Sequence, residues 1–237
     1  MGSTRFPGKS LAPLCGKPLV LWVLERARQA RRLAEIIVAT DDERIRDAVR
    51  QAGGAAVMTR PDHPSGTDRV AEAVAGREAE VVINVQGDEP LVDPALIDRL
   101  AEVMVRERQW DMATAAAPLM DEEEWARPAV VKVVWDAAGR ALYFSRAVIP
   151  FVRGARPAGL RYWRHLGLYA YRRAFLERLV AAPPCVLEQA EQLEQLRALH
   201  LGARIKVLET VDVGPGVDTP EDVARVEAAL RRAGLTR

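Results

Sequence analysis

Gln86-Gly87-Asp88-Glu89-Pro90 ends an apolar run, Glu80-Val81-Val82-Ile83-Asn84-Val85, and delivers an amide and two carboxylates to one place. Gly87 lets the backbone come close to a ligand, and Asp88 offers hard oxygen donors. That combination suits Mg²⁺ bridging phosphate oxygens, because Mg²⁺ takes only one or two protein carboxylates and fills its shell with phosphate and water. The competing reading is a polar turn leaving a strand. A second source of chemistry is the opening loop, Gly2-Ser3-Thr4-Arg5-Phe6-Pro7-Gly8-Lys9-Ser10, rich in hydroxyls and cations. Loops of this composition hold anions where a helix N-terminus follows. Gly8-Lys9-Ser10 matches the end of a Walker A motif, but Ser3 stands where that motif needs its first glycine and Pro7 removes an amide. A P-loop NTPase is therefore the weaker reading. Other candidates are more ambiguous. Asp218 flanks the last helix, His165 lies in a strand-like run, and Arg146 and Tyr169 could form an interface pair. Glu188, Glu191 and Glu194 share a helical face, where a solvated stripe is the expectation for the first two.

The elements that must carry these groups alternate. A helix is expected over 19–32, then a strand at 35–40 ending in Asp41-Asp42, a helix at 43–52 closed by Gly53-Gly54, and a strand at 55–58. Thr59 to Arg69 is turn chemistry leading into a helix from Thr67 to Ala75. The run at 80–85 reads as a strand buried on both faces, so its polar end falls where ligands bind in open α/β sheets. A helix at 94–106 and a strand at 112–117 continue the alternation, which favours an α/β fold with a mainly parallel, Rossmann-like sheet. The rhythm then changes. Strand-like segments at 130–135, 141–144 and 165–171, with Gly139 as a hairpin turn, define a mixed, partly antiparallel lobe over 118–172. Arg153 to Arg161 is a basic loop with Gly and Pro, of the kind that closes over substrates. Helices are expected at 172–181 and 187–201 and a strand at 205–210. A final helix follows, with Thr219 as N-cap, Pro220 in first position and acids in the first turn.

Composition narrows the classes. The chain has 237 residues, 28% of them charged, with a net charge of +1, so one large α/β domain can bury a full core and bulk nucleic-acid binding has no electrostatic basis. Cys15 and Cys185 belong to no metal or redox spacing. No apolar run reaches the length of a membrane span and no signal peptide is evident, so a cytoplasmic protein is expected.

Several stretches taken together closely resemble one family. They are Gly-Ser-Thr-Arg-Phe-Pro-Gly-Lys-Ser-Leu (2–11), Arg-Pro-Asp-His-Pro-Ser-Gly-Thr-Asp-Arg (60–69), Val-Gln-Gly-Asp-Glu-Pro (85–90), Tyr-Phe-Ser-Arg (143–146), Arg-His-Leu-Gly-Leu-Tyr (164–169), Leu-Glu-Gln-Leu-Arg (193–197) and Gly-Val-Asp-Thr-Pro-Glu-Asp (216–222). In this order they resemble the 3-deoxy-manno-octulosonate (Kdo) cytidylyltransferases, also called CMP-Kdo synthetases. The resemblance implies a GT-A-type, Rossmann-like nucleotidyltransferase, a single domain over 1–237 and usually a homodimer, with the mixed lobe carrying sugar-site and dimer contacts. It implies transfer of CMP from CTP to Kdo for lipopolysaccharide synthesis. It also implies that Ser3, Arg5 and Lys9 hold the triphosphate and that Arg60, Ser65, Gly66, Thr67 and Gln86 surround the cytidine. Asp88 and Asp218 would hold Mg²⁺, with Lys9, Arg5 and these two aspartates as the catalytic set. Gln86, Arg146, His165, Tyr169, Glu194 and Gln195 would contact the sugar acid.

These residue types fit the reaction. Attack of the anomeric hydroxyl on the α-phosphorus needs phosphate charge screened and reactants aligned, and the planar fork of Arg146 matches a carboxylate as a Lys cannot. One departure stands out: family members begin with an apolar strand ending in Ile-Pro-Ala-Arg, and here Met1 occupies a loop position. The first central strand is thus expected to be missing at the N-terminus, through a misassigned start or a truncation. Failing both, a weakened fold and poor activity are expected. Rival functions are a synthetase for 8-amino-Kdo or sialic acid, and a CTP-binding protein without catalysis.

Overall fold

The computed structural model describes residues 6–211 and 214–236. The chain divides into two compact units, one made of Met1–Glu78, Asn84–Ala101 and Val213–Arg237, the other of Ala79–Ile83 and Glu102–Asp212. The α/β class expected from the alternation is the class observed.

In the first unit a short 3₁₀ turn at Lys9–Leu11 leads into the antiparallel pair β1 (Pro13–Leu14) and β2 (Lys17–Pro18) and then helix α1 (Leu19–Ala27). Strand β3 (Ile37–Thr40), helix α2 (Glu43–Gln51) and strand β4 (Ala55–Met58) form a βαβ unit with β3 and β4 parallel in register. Helix α3 (Gly66–Ala73) follows. Helix α1 is shorter than its periodicity suggests. Beyond Ala27 the chain tightens, with Gln29 N–H donating to Arg26 O, and the amides of Arg31 and Arg32 turn to the Asp98 carboxylate instead of continuing the helix. Val20, Leu24, Ile45 and Val49 pack α1 against α2.

Strand β5 (Val81–Asn84) leaves the second unit and re-enters the first at Asn84, and helix α4 (Pro94–Arg106) has the bounds expected of it. Val82 and Asn84 are buried, whereas Val81 and Ile83 are half-buried, so the strand is less enclosed than its composition suggests.

The second unit is built on a six-stranded mixed sheet. Its elements are β6 (Met112–Leu119), a one-turn helix α5 (Glu122–Trp125), β7 (Lys132–Trp135), β8 (Ala141–Ser145), β9 (Tyr162–Arg172), helices α6 (Arg173–Ala181), α7 (Val186–Glu191) and α8 (Gln195–His200), and β10 (Ile205–Glu209). The strand order is β10-β6-β9-β7-β8, with β5 pairing β9. Strands β10 and β6 are parallel, and β6–β9 and β7–β8 antiparallel. Gly139, at φ 79°, makes the β7–β8 hairpin as expected. Antiparallel pairing thus begins at Met112, ahead of the lobe read from the sequence.

Two helical expectations are corrected. The single helix at 187–201 is two short ones, because Gln192 adopts a left-handed conformation (φ 51°, ψ 52°) and Leu193 N–H turns back to Glu188 O. The last helix, α9 (Asp222–Arg232), starts after Thr219. Its N-cap is Glu221, with no side-chain cap hydrogen bond, and the carboxylate of Asp222 in the first helical position accepts from the amides of Asp218 and Thr219 before the helix (both 2.9 Å).

Candidate active site

In the first unit apolar packing carries the two expected metal ligands to one place. Leu91 and Val217 are buried in one cluster with Leu14, Leu19, Trp22, Val226 and Leu230. Asp88 lies just before Leu91 and Asp218 directly after Val217, so burying those neighbours brings the carboxylates together. The backbone completes the contact, with Val217 N–H donating to Asp88 O at 2.9 Å. This close approach needs glycine: a Cβ on Gly216 would sit 3.1 Å from Asp88 O, and one on Gly214 would sit 2.8 Å from Leu91 Cδ1.

Lys9 joins them. Its ammonium lies 2.6 Å from Asp88 Oδ2 and 3.6 Å from Asp218 Oδ1, and donates to Val217 O at 3.0 Å. One cation reaches both carboxylates, so the two acids converge on a single positive charge. Among the described residues no cluster of three or more His, Cys, Asp or Glu could hold an ion. A site with two carboxylates and otherwise phosphate and water ligands fits Mg²⁺ and does not fit an all-protein cage. Ser3 and Arg5, expected on the triphosphate, lie outside the described residues.

The expected cytidine residues also gather in this unit. Ser65 caps α3, its Oγ accepting from Asp68 N–H (3.2 Å) and donating to Asp68 Oδ2 (2.5 Å). Gly66 opens the helix beside Gln86, whose Oε1 would be 3.9 Å from a Cβ at that position, and Thr67 is buried next to it. The Gln86 amide donates to Asn84 Oδ1 at 3.5 Å, leaving the buried Asn84 Nδ2 without a partner among the described residues. Arg60 stands apart: its exposed guanidinium pairs with Glu72 (3.4 Å) and Asp62 (3.7 Å). Glu72 also takes the Arg60 amide and the His63 ring, which ties the 59–65 loop to α3. Burial would raise the Glu72 carboxyl, but these hydrogen bonds hold it below its ordinary value.

The expected sugar-acid residues lie in the second unit, apart from Gln86. His165 is buried on β9, with Nε2 3.0 Å from Thr114 Oγ1 and its ring against Phe144 and Tyr169. Loss of solvent lowers its pKa from 6.5 to about 3, so it is neutral at pH 7. Burial, then the neighbouring Tyr171 and Glu194, raises Tyr169 well above 10, and its hydroxyl donates to Gln195 Oε1 at 3.3 Å. His165, Tyr169, Glu194 and Gln195 are therefore one cluster. Arg146 is anchored at the end of β8 by carbonyls of Glu191 (2.6 Å), Pro128 (2.9 Å) and Gln192 (3.3 Å). The 153–161 loop is fastened by Arg156, which stacks over Trp125 at 4.4 Å and donates to Leu160 O.

Three groups have roles that the sequence did not reveal. Glu188 is no solvated stripe residue: it is buried in a bidentate pair with Arg197 (2.6 and 2.8 Å). Glu191 likewise turns inward, onto Ser145 and Arg146. Lys132 is fully buried, donating to the carbonyls of Arg127, Val130 and Arg146. The available signal for Lys132 was a lone cation inside an apolar strand, which demands internal partners.

A phosphate-suited carboxylate pair, a capped helix and a mixed sheet within an α/β fold suit a nucleotidyltransferase. Known proteins agree. The chain belongs to the cytidylyltransferase family, whose model matches residues 1–205. A 3-deoxy-manno-octulosonate cytidylyltransferase of Bdellovibrio bacteriovorus is 49% identical over 99% of this chain and 96% of its own length. That of Syntrophotalea carbinolica is 48% identical over 97% and 94%. A solved CMP:2-keto-3-deoxy-manno-octonic acid synthetase complexed with CTP superposes with a TM-score of 0.93 at 44% identity, covering 98% of this chain and 95% of that one.

Proposed function

We propose that the chain transfers CMP from CTP to the anomeric hydroxyl of Kdo, releasing pyrophosphate, with its two units acting as one nucleotidyltransferase domain. The observation that carries this reading is the convergence of Asp88 and Asp218 on the Lys9 ammonium. The hydroxyl oxygen loses its proton to solvent and forms a bond to the α-phosphorus, the bond from that phosphorus to the bridging oxygen breaks, and pyrophosphate leaves with the electron pair. Lys9, with Ser3 and Arg5, meets the triphosphate and screens its charge. Asp88 and Asp218 would hold Mg²⁺, which would supply positive charge to polarise a phosphoryl oxygen. Ser65, Gly66, Thr67, Gln86 and Arg60 orient the cytidine. Arg146 grips the carboxylate of the sugar acid, while Gln86, His165, Tyr169, Glu194 and Gln195 bind its hydroxyls. The neutral His165 can donate or accept one hydrogen bond without bringing a charge to the acid.

The product would feed lipopolysaccharide synthesis in the cytoplasm. Free Cys15 and Cys185 suit a reducing compartment, and no described helix is long and apolar enough to cross a membrane. A homodimer would cover Met120 and Phe151, which stand 87% and 85% exposed.

Pyrophosphate release from CTP with Mg²⁺ and Kdo, 8-amino-Kdo or sialic acid in turn tests the reading. Kdo is expected to give the highest kcat/KM, with activity lost on chelation and restored by Mg²⁺. Preference for another acid would move the assignment to that sugar. Tight CTP binding by calorimetry with no pyrophosphate from any acid would replace it with a non-catalytic binding protein.

A further inference from the structure

Within the second unit one side chain ties together two groups of residues assigned to the sugar acid. Glu191, last in α7, accepts from Ser145 Oγ through Oε1 and from Arg146 N–H through Oε2, both at 2.7 Å. Its own carbonyl takes Arg146 Nε at 2.6 Å. On the other side of Arg146 the buried Lys132 spends its ammonium protons on carbonyls, Arg146 O among them at 2.5 Å. The backbone of Arg146 is thus held at both its N–H and its C=O.

The guanidinium is held differently. Nε, Nη1 and Nη2 each donate to one neutral carbonyl. Of the five N–H groups of an arginine that leaves one on each Nη, with the positive charge opposed by no carboxylate in direct contact among the described residues. That is the arrangement a planar carboxylate ligand needs. Directly after Glu191 the chain turns at Gln192 in its left-handed conformation and delivers Glu194 and Gln195, the latter on the Tyr169 hydroxyl. Glu191 therefore stands between the carboxylate-gripping arginine on β8 and the hydroxyl-binding pair at the start of α8.

We infer that Glu191 is a positioning residue of the sugar-acid site: by clamping Ser145 and Arg146 to the α7–α8 turn it fixes the spacing between Arg146 and Glu194-Gln195. This rests on the reading that those residues meet Kdo. Its carboxylate faces a hydroxyl and an amide of the protein and sets its charge near the buried Lys132, so it acts through the protein rather than on the ligand.

The test is steady-state pyrophosphate release with Kdo and CTP varied separately. Glu191→Ala and Arg146→Ala are each expected to raise KM for Kdo about tenfold, leaving KM for CTP within about twofold. Glu191→Gln is expected to recover most of the loss, because a serine hydroxyl can donate or accept and the amide can keep both bonds. The double variant is expected to be little worse than Arg146→Ala alone, because the two residues act as a unit. Ser145→Ala, which removes one bond only, gives a smaller rise of the same selectivity and serves if Glu191→Ala does not fold. An unchanged KM for Kdo in Glu191→Ala beside a raised one in Arg146→Ala overturns the inference alone, as does an equal rise for both substrates. A wild-type chain that releases no pyrophosphate with Kdo overturns the functional reading and the inference with it.

Discussion

Mild acid is expected to destabilise the second unit through His165. The residue is 9% exposed, its ring enclosed by Phe144 and Tyr169, with Thr114 Oγ1 as hydrogen-bond partner of Nε2. Desolvation holds its folded pKa at about 3, against 6.5 for a free histidine. Between those values the unfolded chain binds a proton that the folded chain does not, so stability falls as pH drops through that window and is fully present above it. Every tenfold difference in proton affinity between the two states is worth about 1.4 kcal/mol, so at pH 5 the cost is about 2 kcal/mol, rising towards a ceiling of about 5 kcal/mol below pH 3. Urea unfolding of the wild type and of His165→Gln at pH 7 and pH 5 measures it. The glutamine can keep a hydrogen bond to Thr114 and cannot titrate, so it cancels every other group's contribution. The wild type is expected to lose about 2 kcal/mol more than the variant between the two pH values. Parallel losses would refute the reasoning, as would an NMR titration in which the His165 ring moves with a midpoint near 6.5.

Gly216→Ala is expected to destabilise the first unit by about 1–3 kcal/mol and to lower kcat, because a Cβ placed 3.1 Å from Asp88 O pushes the Asp218 segment away. Thermal unfolding with turnover checks this, and wild-type values for both would count against it. Asp218→Asn keeps the shape of the side chain and removes its charge, so kcat is expected to fall about 100-fold or more, with partial recovery as Mg²⁺ is raised. A wild-type rate at low Mg²⁺ would remove Asp218 from the metal site.

How much was legible in the sequence depended on whether the deciding forces were local. Helix α4 could be bounded because Pro94 opens it and Ile97, Leu100, Ala101 and Met104 repeat at helical spacing on a buried face. Helix α2 could be closed at Gly53, which takes the left-handed φ of 69° that ends it. The break between α7 and α8 was hidden, because Gln192 carries no turn signal and tertiary bonds from Arg146 and Arg197 on either side hold the kink. Residue types made Asp88 a candidate ligand, beside the reading of a polar turn. Its pairing with Asp218 came only from the family likeness, since no spacing rule links positions so distant. The inward turn of Glu191 was illegible for the same reason: its partners Ser145 and Arg146 lie on and just after β8, far from it in sequence.

The carboxylate pair has a consequence for how the molecule is made. Asp88 and Asp218 belong to one compact unit, yet nearly the whole of the other unit is encoded between them. A growing polypeptide that has already emerged past Leu91 must wait for Val217, Val226 and Leu230 before the apolar cluster that seats both acids can close. The last strand of the intervening unit, β10, ends at Glu209, ahead of Val217, Val226 and Leu230, so the cluster that seats the two acids is expected to close after that unit's sheet.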